Sequence, residues 1–296
     1  MIAAREAACS CKPWGTCSKS ECSCEKLCPD NFSIFKRSPY DQNISNLSAR
    51  ENSLSFRNIG AMEMSDIEGT NGYCWGHASV TSQFNRLASF DSEDTSMIDQ
   101  LNEAPDSPKR IEALNYYKSA IDDIIDNKVA TFSGFPNLYE LSGHPDLESY
   151  LATEIAKQWA HRAMTIQGVR TALGIGAMSR ENSVSFLEEI AQKIDNHQQP
   201  QIVFTSQGQI GRTHALLVSH YERTDEGLVL CLRDNNYSPM SNETCSNKME
   251  LNEEGGLSYG PWGKLGRAAL AHNDNSDALK QFRSLKEECD KQQGCD

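Results

Sequence analysis

The chain has 296 residues, a formal net charge of −13 and 38% hydrophobic residues. It is long enough to bury a sizeable core, and its acidity argues against nucleic acid or an anionic membrane surface as the main partner. No apolar run in the sequence approaches the length of a membrane span.

Residues 1–30 carry six of the eleven cysteines: Cys9, Cys11, Cys17, Cys22, Cys24 and Cys28. This segment has too few apolar residues to build a core, so it is expected to be a disulfide-bonded arm. Zinc competes for the same residues. No histidine lies among them, however, and the Cys-x-Cys pairs do not match the usual knuckle spacing. Residues 31–64 are rich in Ser, Asn and Arg with scattered Phe32, Ile34, Phe35 and Leu54, a connecting arm that partly packs on the body. The body, residues 65–296, is expected to be one domain.

The chain's organising stretch is Asn71-Gly72-Tyr73-Cys74-Trp75-Gly76-His77-Ala78. A glycine turn precedes the cysteine, and the apolar run Val80 to Leu87 and Phe90 follows it. This reads as a thiol delivered to the first turn of a helix. The free amides and the dipole at that end favour negative charge on sulfur, which is the nucleophilic form. A buried cysteine packed beside a core tryptophan is the competing reading.

Three further helices follow from three- and four-residue spacing. Pro108 to Val129 carries Ile111, Leu114, Tyr117, Ile121, Ile124 and Ile125. Asp146 to Met164 carries Leu147, Tyr150, Leu151, Ile155 and Trp159. The third is expected to start at Ser185, which forms a capping box with Glu188, and to run through Leu187, Ile190, Ala191 and Ile194. Gly168 to Gly176 reads as a loop.

After Pro200 the pattern changes to strands: Gln201 to Thr205, His214 to Tyr221, Gly227 to Leu232 and Lys248 to Leu251, with turn residues between them. Asp277 to Lys291 reads as a closing helix. Helices followed by strands in one chain make an α+β class. Cys231 and Cys245 flank the turn after the third strand and are expected to pair, as are Cys289 and Cys295 around the chain end. Cys74 is then the odd thiol, and the count fits an exported protein: secreted, periplasmic or at the cell surface. Met1 to Ala8 lacks the apolar stretch of a signal peptide, so this segment does not read as an intact signal. Ala7-Ala8-Cys9 is similar to the end of a lipoprotein signal, but Glu6 stands where that signal takes an apolar residue, so a lipid anchor has only this tripeptide behind it.

A reactive thiol needs a base, and the base needs a partner that orients it. Seven histidines are available. His77 is one turn from Cys74 and is expected to pack rather than react. His214 opens a buried strand after a glycine-containing loop, a place where a sheet rim holds a ring in position. The following strand ends at Asp234, twenty residues on, where a carboxylate could hold the imidazole tautomer. The run Asp234-Asn235-Asn236 can also be read as a turn, and Asn235 and Asn236 are alternatives for the third group.

The set Gly72-x-Cys74-Trp75, His214-Ala215 and Asp234-Asn235 resembles the papain-like cysteine peptidases, in a divergent bacterial form. The 140 residues between Cys74 and His214 fall in the roughly 130–150 of that family. The resemblance implies a two-lobed fold: a helical N-terminal lobe with the nucleophile and an antiparallel β C-terminal lobe with the base. It implies a Cys74–His214–Asp234 triad, no cofactor or metal, and a protein or peptide substrate. The family's glutamine six residues before the nucleophile is Glu68 here, whose charge would repel a developing oxyanion. Asn71 is the substitute donor, with Gln207 and Gln209 as further options. The expected activity is hydrolysis of peptide or amide bonds through a thioacyl-enzyme. A transglutaminase-like acyl transferase and a catalytically silent binding module are the alternatives.

Overall fold

The computed structural model describes residues 50–58, 73–163, 178–196, 198–209, 212–225, 227–237 and 245–271. The cysteine-rich arm, Glu68, Asn71, the Gly168–Gly176 loop, the closing helix and Cys289 with Cys295 lie outside these residues.

Helix α1, Cys74–Leu87, starts at the cysteine and ends where Ala88 turns extended to open strand β1, Ala88–Asp91. Every residue of α1 is buried. A helix enclosed on all sides must satisfy its polar residues internally. Thr81 Oγ1 donates to the His77 carbonyl, Arg86 Nε to the Ser82 carbonyl, and Gln83 Nε2 to the Ile125 carbonyl.

Helix α2, Ser96–Leu101, leads to α3, Pro108–Ile125, whose proline sits in the first turn after Ser107. The expected stripe is buried at Tyr117, Ile121 and Ile124, whereas Ile111 in the first turn points off it and is exposed. Strand β2, Ala130–Ser133, pairs in parallel with β1, Ala88 opposite Ala130. Helix α4, Leu138–Ser142, is capped by Asn137, whose side chain accepts from the Glu140 amide. Helix α5, Pro145–Ala163, buries Leu147, Leu151 and Ile155. These elements enclose one core around Phe84, Tyr117, Phe132 and Leu151.

Helix α6 runs Arg180–Asp195 and is capped by Ser179, which accepts from the Asn182 amide. Its start therefore precedes Ser185, whose capping-box pattern lies within the helix. The buried stripe Phe186, Leu187, Ile190, Ala191 and Ile194 packs on the strands.

The strands are β3 (Gln201–Ser206), β4 (Thr213–Thr224), β5 (Gly227–Arg233), β6 (Lys248–Leu251), β7 (Leu257–Tyr259) and β8 (Gly263–Leu270). Each pairs antiparallel with the next, and β8 returns to β3 with Phe204 opposite Ala268. The result is a closed six-stranded barrel filled by Phe204, Leu216, Val218, Leu230, Met249 and Tyr259. The Cys231–Cys245 disulfide, at a sequence separation of 14, ties β5 to the start of β6.

The papain-like two-lobed fold, with its helical and antiparallel β lobes, is not what forms. The strand half closes into a barrel, and the helical half contains a parallel two-stranded sheet. Two strands absent from the sequence reading, β7 and β8, cause the difference. Pairing β8 with β3 removes both sheet edges, which an open antiparallel lobe would leave to be covered.

Between the two cores lies a small seam: Cys74 and Trp75 of α1 against Val203, Ala215 and Ala271. Gly76 sits where α1 meets α5. A Cβ there would lie 2.0 Å from the Ile155 carbonyl oxygen, so only glycine permits this approach. The seam sets Cys74 beside the barrel wall that carries His214.

Candidate active site

Cys74 is the first residue of α1 and is the free cysteine among the described residues. The amides of a first helical turn have no intrahelical partners, so they concentrate positive potential at the sulfur. Tyr73 caps the helix without a side-chain hydrogen bond.

His214 is the second residue of β4 and is 2% exposed. Its Nε2 lies 2.8 Å from Asp234 Oδ1. Cys74, at the start of α1, is the next influence on the ring after Asp234. Trp262 stacks parallel on the ring, with centroids 5.1 Å apart and 5° between planes. The Arg212 guanidinium covers Trp262 at 4.8 Å. Phe204 meets the ring edge-on at 5.7 Å. These contacts fix the imidazole plane and help to bury the ring.

Asp234 follows β5 directly and is fully buried. Its Oδ1 also accepts from the Asn236 amide at 2.9 Å, and Tyr259 donates its hydroxyl to Oδ2. Burial works against the Asp234 anion. The His214 charge and hydrogen bond outweigh it, aided by Tyr259 and Asn236, and hold the carboxyl below its usual range. Burial likewise opposes the charged His214 ring, but Asp234, then Cys74, overcome it and push its pKa up to about 10. The balance favours the charged form of the ring beside Asp234 at neutral pH.

The two neighbouring asparagines have other work. Asn235 Nδ2 donates to the Cys74 carbonyl at 2.9 Å and the Ala215 carbonyl at 3.1 Å, joining the α1 start to β4. Asn236 Nδ2 sits 3.3 Å from His214 Nε2. With the Nε2 proton committed to Asp234, that amide flanks the pair without a hydrogen bond to it. Asn58 Nδ2 donates to Asn236 Oδ1, and the Asn58 amide to the Asn235 carbonyl, so the connecting arm braces this turn.

His77 is buried and hydrogen bonds through Nε2 to the Phe56 carbonyl at 3.1 Å. Burial lowers its pKa to about 4, with Arg233 and His214 adding to the effect, so it stays neutral. It packs, as the spacing suggested, and is no rival base. Gln209 Oε1 accepts from Arg212, and the Gln207 amide donates to Lys264, both at the β8 side of the barrel rim.

Sequence reasoning picked out Cys74, His214 and Asp234, which the fold brings together, and missed three residues around them. Trp262 and Tyr259 come from Leu257-Ser258-Tyr259-Gly260-Pro261-Trp262-Gly263, where two aromatics around Gly-Pro were the available signal. The third is Gln201, buried in β3, whose Nε2 donates to the Trp75 carbonyl at 3.2 Å while its carboxamide meets Ser79 Oγ. An isolated glutamine opening an apolar strand gave no pattern to read.

No family model matches the chain, and no curated protein or solved structure shows significant similarity to it.

Proposed function

We propose that the chain is a cysteine hydrolase that cleaves peptide or amide bonds through a thioacyl-enzyme, with Cys74 as nucleophile. The observation that carries this reading is the buried His214–Asp234 pair, 2.8 Å apart, on the barrel wall against which the start of α1 sets Cys74. The likeness to papain-like peptidases is retained here for the chemistry of the Cys, His, Asp order alone.

The Cys74 thiolate attacks the substrate carbonyl carbon, and the carbonyl electron pair moves to oxygen. Free amides of the first turn of α1 offer donors to that oxyanion. His214 gives its Nδ1 proton to the departing nitrogen as the C–N bond breaks. The neutral ring then takes a proton from water, whose oxygen attacks the thioester, and the C–S bond breaks to return the thiolate and the imidazolium. Asp234 keeps the Nε2 proton in place throughout, and Tyr259 holds Asp234. The Cys231–Cys245 disulfide supports an oxidising compartment, hence export.

The test is incubation of the protein and its Cys74→Ala variant with a mixed peptide library, read by mass spectrometry. Cleavage products are expected from the parent and none from a folded Cys74→Ala chain. Equal cleavage by both, or by neither, refutes the reading.

A further inference from the structure

On the barrel face of β4 and β5, His220, Glu222, Cys231 and Cys245 bring their ligand atoms within 4.8 Å of one another. We propose that these four side chains form a tetrahedral zinc site when the Cys231–Cys245 pair is reduced, so that this corner has two alternative staples, a disulfide and a metal.

Three features carry the assignment. The first is register. β4 and β5 pair regularly up to Val218 opposite Leu232, then shift so that His220, not Ser219, stands opposite Cys231. A bulge of this kind re-aims side chains, and here it brings His220, with Glu222 two residues on, to the sulfur side. The second is the tautomer. Ser219 Oγ has one proton and donates it to the Cys231 carbonyl at 2.9 Å. Its 3.0 Å contact with His220 Nδ1 must then be accepted from an Nδ1–H. The lone pair is left on Nε2, the form a metal requires, and the hydroxyl holds the ring as an outer partner does in metal sites. The third is chemistry. Two thiolates, an imidazole and a carboxylate suit zinc. Against Zn²⁺ they leave one negative charge, and Lys248 Nζ lies 3.7 Å from Glu222 Oε2 to balance it.

The exchange balances. A dithiol reductant gives two electrons and two protons to the S–S bond and becomes a disulfide itself. Zn²⁺ then displaces both thiol protons. With Zn–S near 2.3 Å, the sulfurs separate to about 3.8 Å across a tetrahedron, within the span the four groups already occupy. A small-molecule disulfide reverses the step: the two thiolates give it two electrons, their S–S bond re-forms and Zn²⁺ leaves, while the reagent's own S–S bond breaks to two thiols with protons from water. Cys231 lies three residues before Asp234 on the same strand end, so either staple holds the segment that delivers the third member of the catalytic group.

The experiment uses the full chain, reduced with a dithiol that is then removed under nitrogen. It is alkylated with iodoacetamide with and without added Zn²⁺, and peptide mapping reads Cys231 and Cys245 individually, apart from the arm cysteines. Zinc is expected to slow alkylation at Cys245 and Cys231 by about tenfold or more. His220→Ala and Glu222→Gln, both partly exposed positions, are each expected to weaken that protection by about tenfold or more, and Ser219→Ala by about tenfold. Substituting Co²⁺ for zinc should give tetrahedral absorption that His220→Ala diminishes. Absence of protection in the parent chain overturns the proposal. Protection that survives undiminished in both His220→Ala and Glu222→Gln overturns it too, since the sulfurs would then bind alone.

Discussion

Replacing Asp234 with asparagine should separate charge from shape in this site. The carboxylate accepts from His214 Nε2, the Asn236 amide and the Tyr259 hydroxyl. An asparagine oxygen in the Oδ1 position keeps the first two bonds, and its NH₂ group faces Tyr259, whose hydroxyl can turn to accept. The ring therefore stays oriented, and what is lost is the negative charge. In the parent protein the His214 pKa stands at about 10 against an ordinary 6.5, which is about 5 kcal/mol in favour of the imidazolium. Without the anion, burial is the dominant influence left on the ring. His77 shows what burial does to a ring without a bonded carboxylate: its pKa falls to about 4. The Asp234→Asn ring should thus titrate below the ordinary histidine value, which makes the imidazolium the minor form at neutral pH.

The assay needs no substrate. Alkylation of Cys74 by iodoacetamide is followed against pH by peptide mapping, with Cys74→Ser as the blank. The parent should react steadily from mildly acid to alkaline pH, because the imidazolium persists towards pH 10. Asp234→Asn should react about 10²–10³-fold more slowly near neutral pH, and its rate should climb steeply with pH. Superimposable profiles for the two proteins would show that Asp234 does not govern the ring and would refute the electrostatic argument, since the variant keeps the geometry.

Asn235→Ala should act on stability rather than on the ring. It removes bonds to the Cys74 and Ala215 carbonyls, costing about 1–3 kcal/mol in urea unfolding, with the pH profile of Cys74 alkylation unchanged. Gly76→Ala should be more damaging, because its Cβ would meet the Ile155 backbone oxygen; a loss of about 3 kcal/mol or more, or failure to fold, is expected by thermal denaturation. His77 predicts an acid limb of stability. Its folded pKa is depressed from 6.5 to about 4, so its contribution is present above pH 6.5 and is lost as pH falls towards 4, by about 3 kcal/mol. His77→Gln, which keeps a donor for the Phe56 carbonyl, should flatten that limb in urea titrations at successive pH values. The His214 ion pair has the opposite sign: its raised pKa stabilises fully below pH 6.5 and fades as pH rises towards 10.

The parts of this molecule that could be read from sequence are those in which local pattern and tertiary demand coincide. The α3 and α5 stripes were legible because a half-buried helix repeats its apolar residues every three or four positions. Strands β3 to β6 were legible as apolar runs bounded by turns. The closure was not. β7 has three residues, and β8, Gly-Lys-Leu-Gly-Arg-Ala-Ala-Leu, has two glycines and two alanines, the composition least suggestive of a strand. Its place is set by β3, some sixty residues away, and nothing local reports that pairing. The parallel β1–β2 pair failed for a similar reason, since each strand has four residues and its partner lies forty residues off. At α6 a pattern misled: Ser185 and Glu188 have the capping-box spacing, but they sit in the middle of a helix whose cap is Ser179.

The site was more legible than the fold because its members occupy element ends, and element ends carry their own marks. In the sequence a glycine stands two residues before Cys74, a glycine-containing polar stretch precedes His214, and an Asp-Asn-Asn run follows β5. The choice among those three acceptors is where sequence spacing alone stops. Asp234 points to the ring, Asn235 to the Cys74 carbonyl, and Asn236 beside the pair, so a shift of one residue changes the assigned role completely. What decides among them is set elsewhere in the barrel. Tyr259 comes from β7 to hold the Asp234 carboxylate, and Trp262, one short turn later, lies on the imidazole. β7 and the short turn that leads from it to β8, neither of which sequence could show, therefore carry the residues that enclose the charged pair. Barrel closure and the charged histidine are thus coupled through Tyr259 and Trp262, and a variant that displaces the β7–β8 turn is expected to weaken the His214–Asp234 pair.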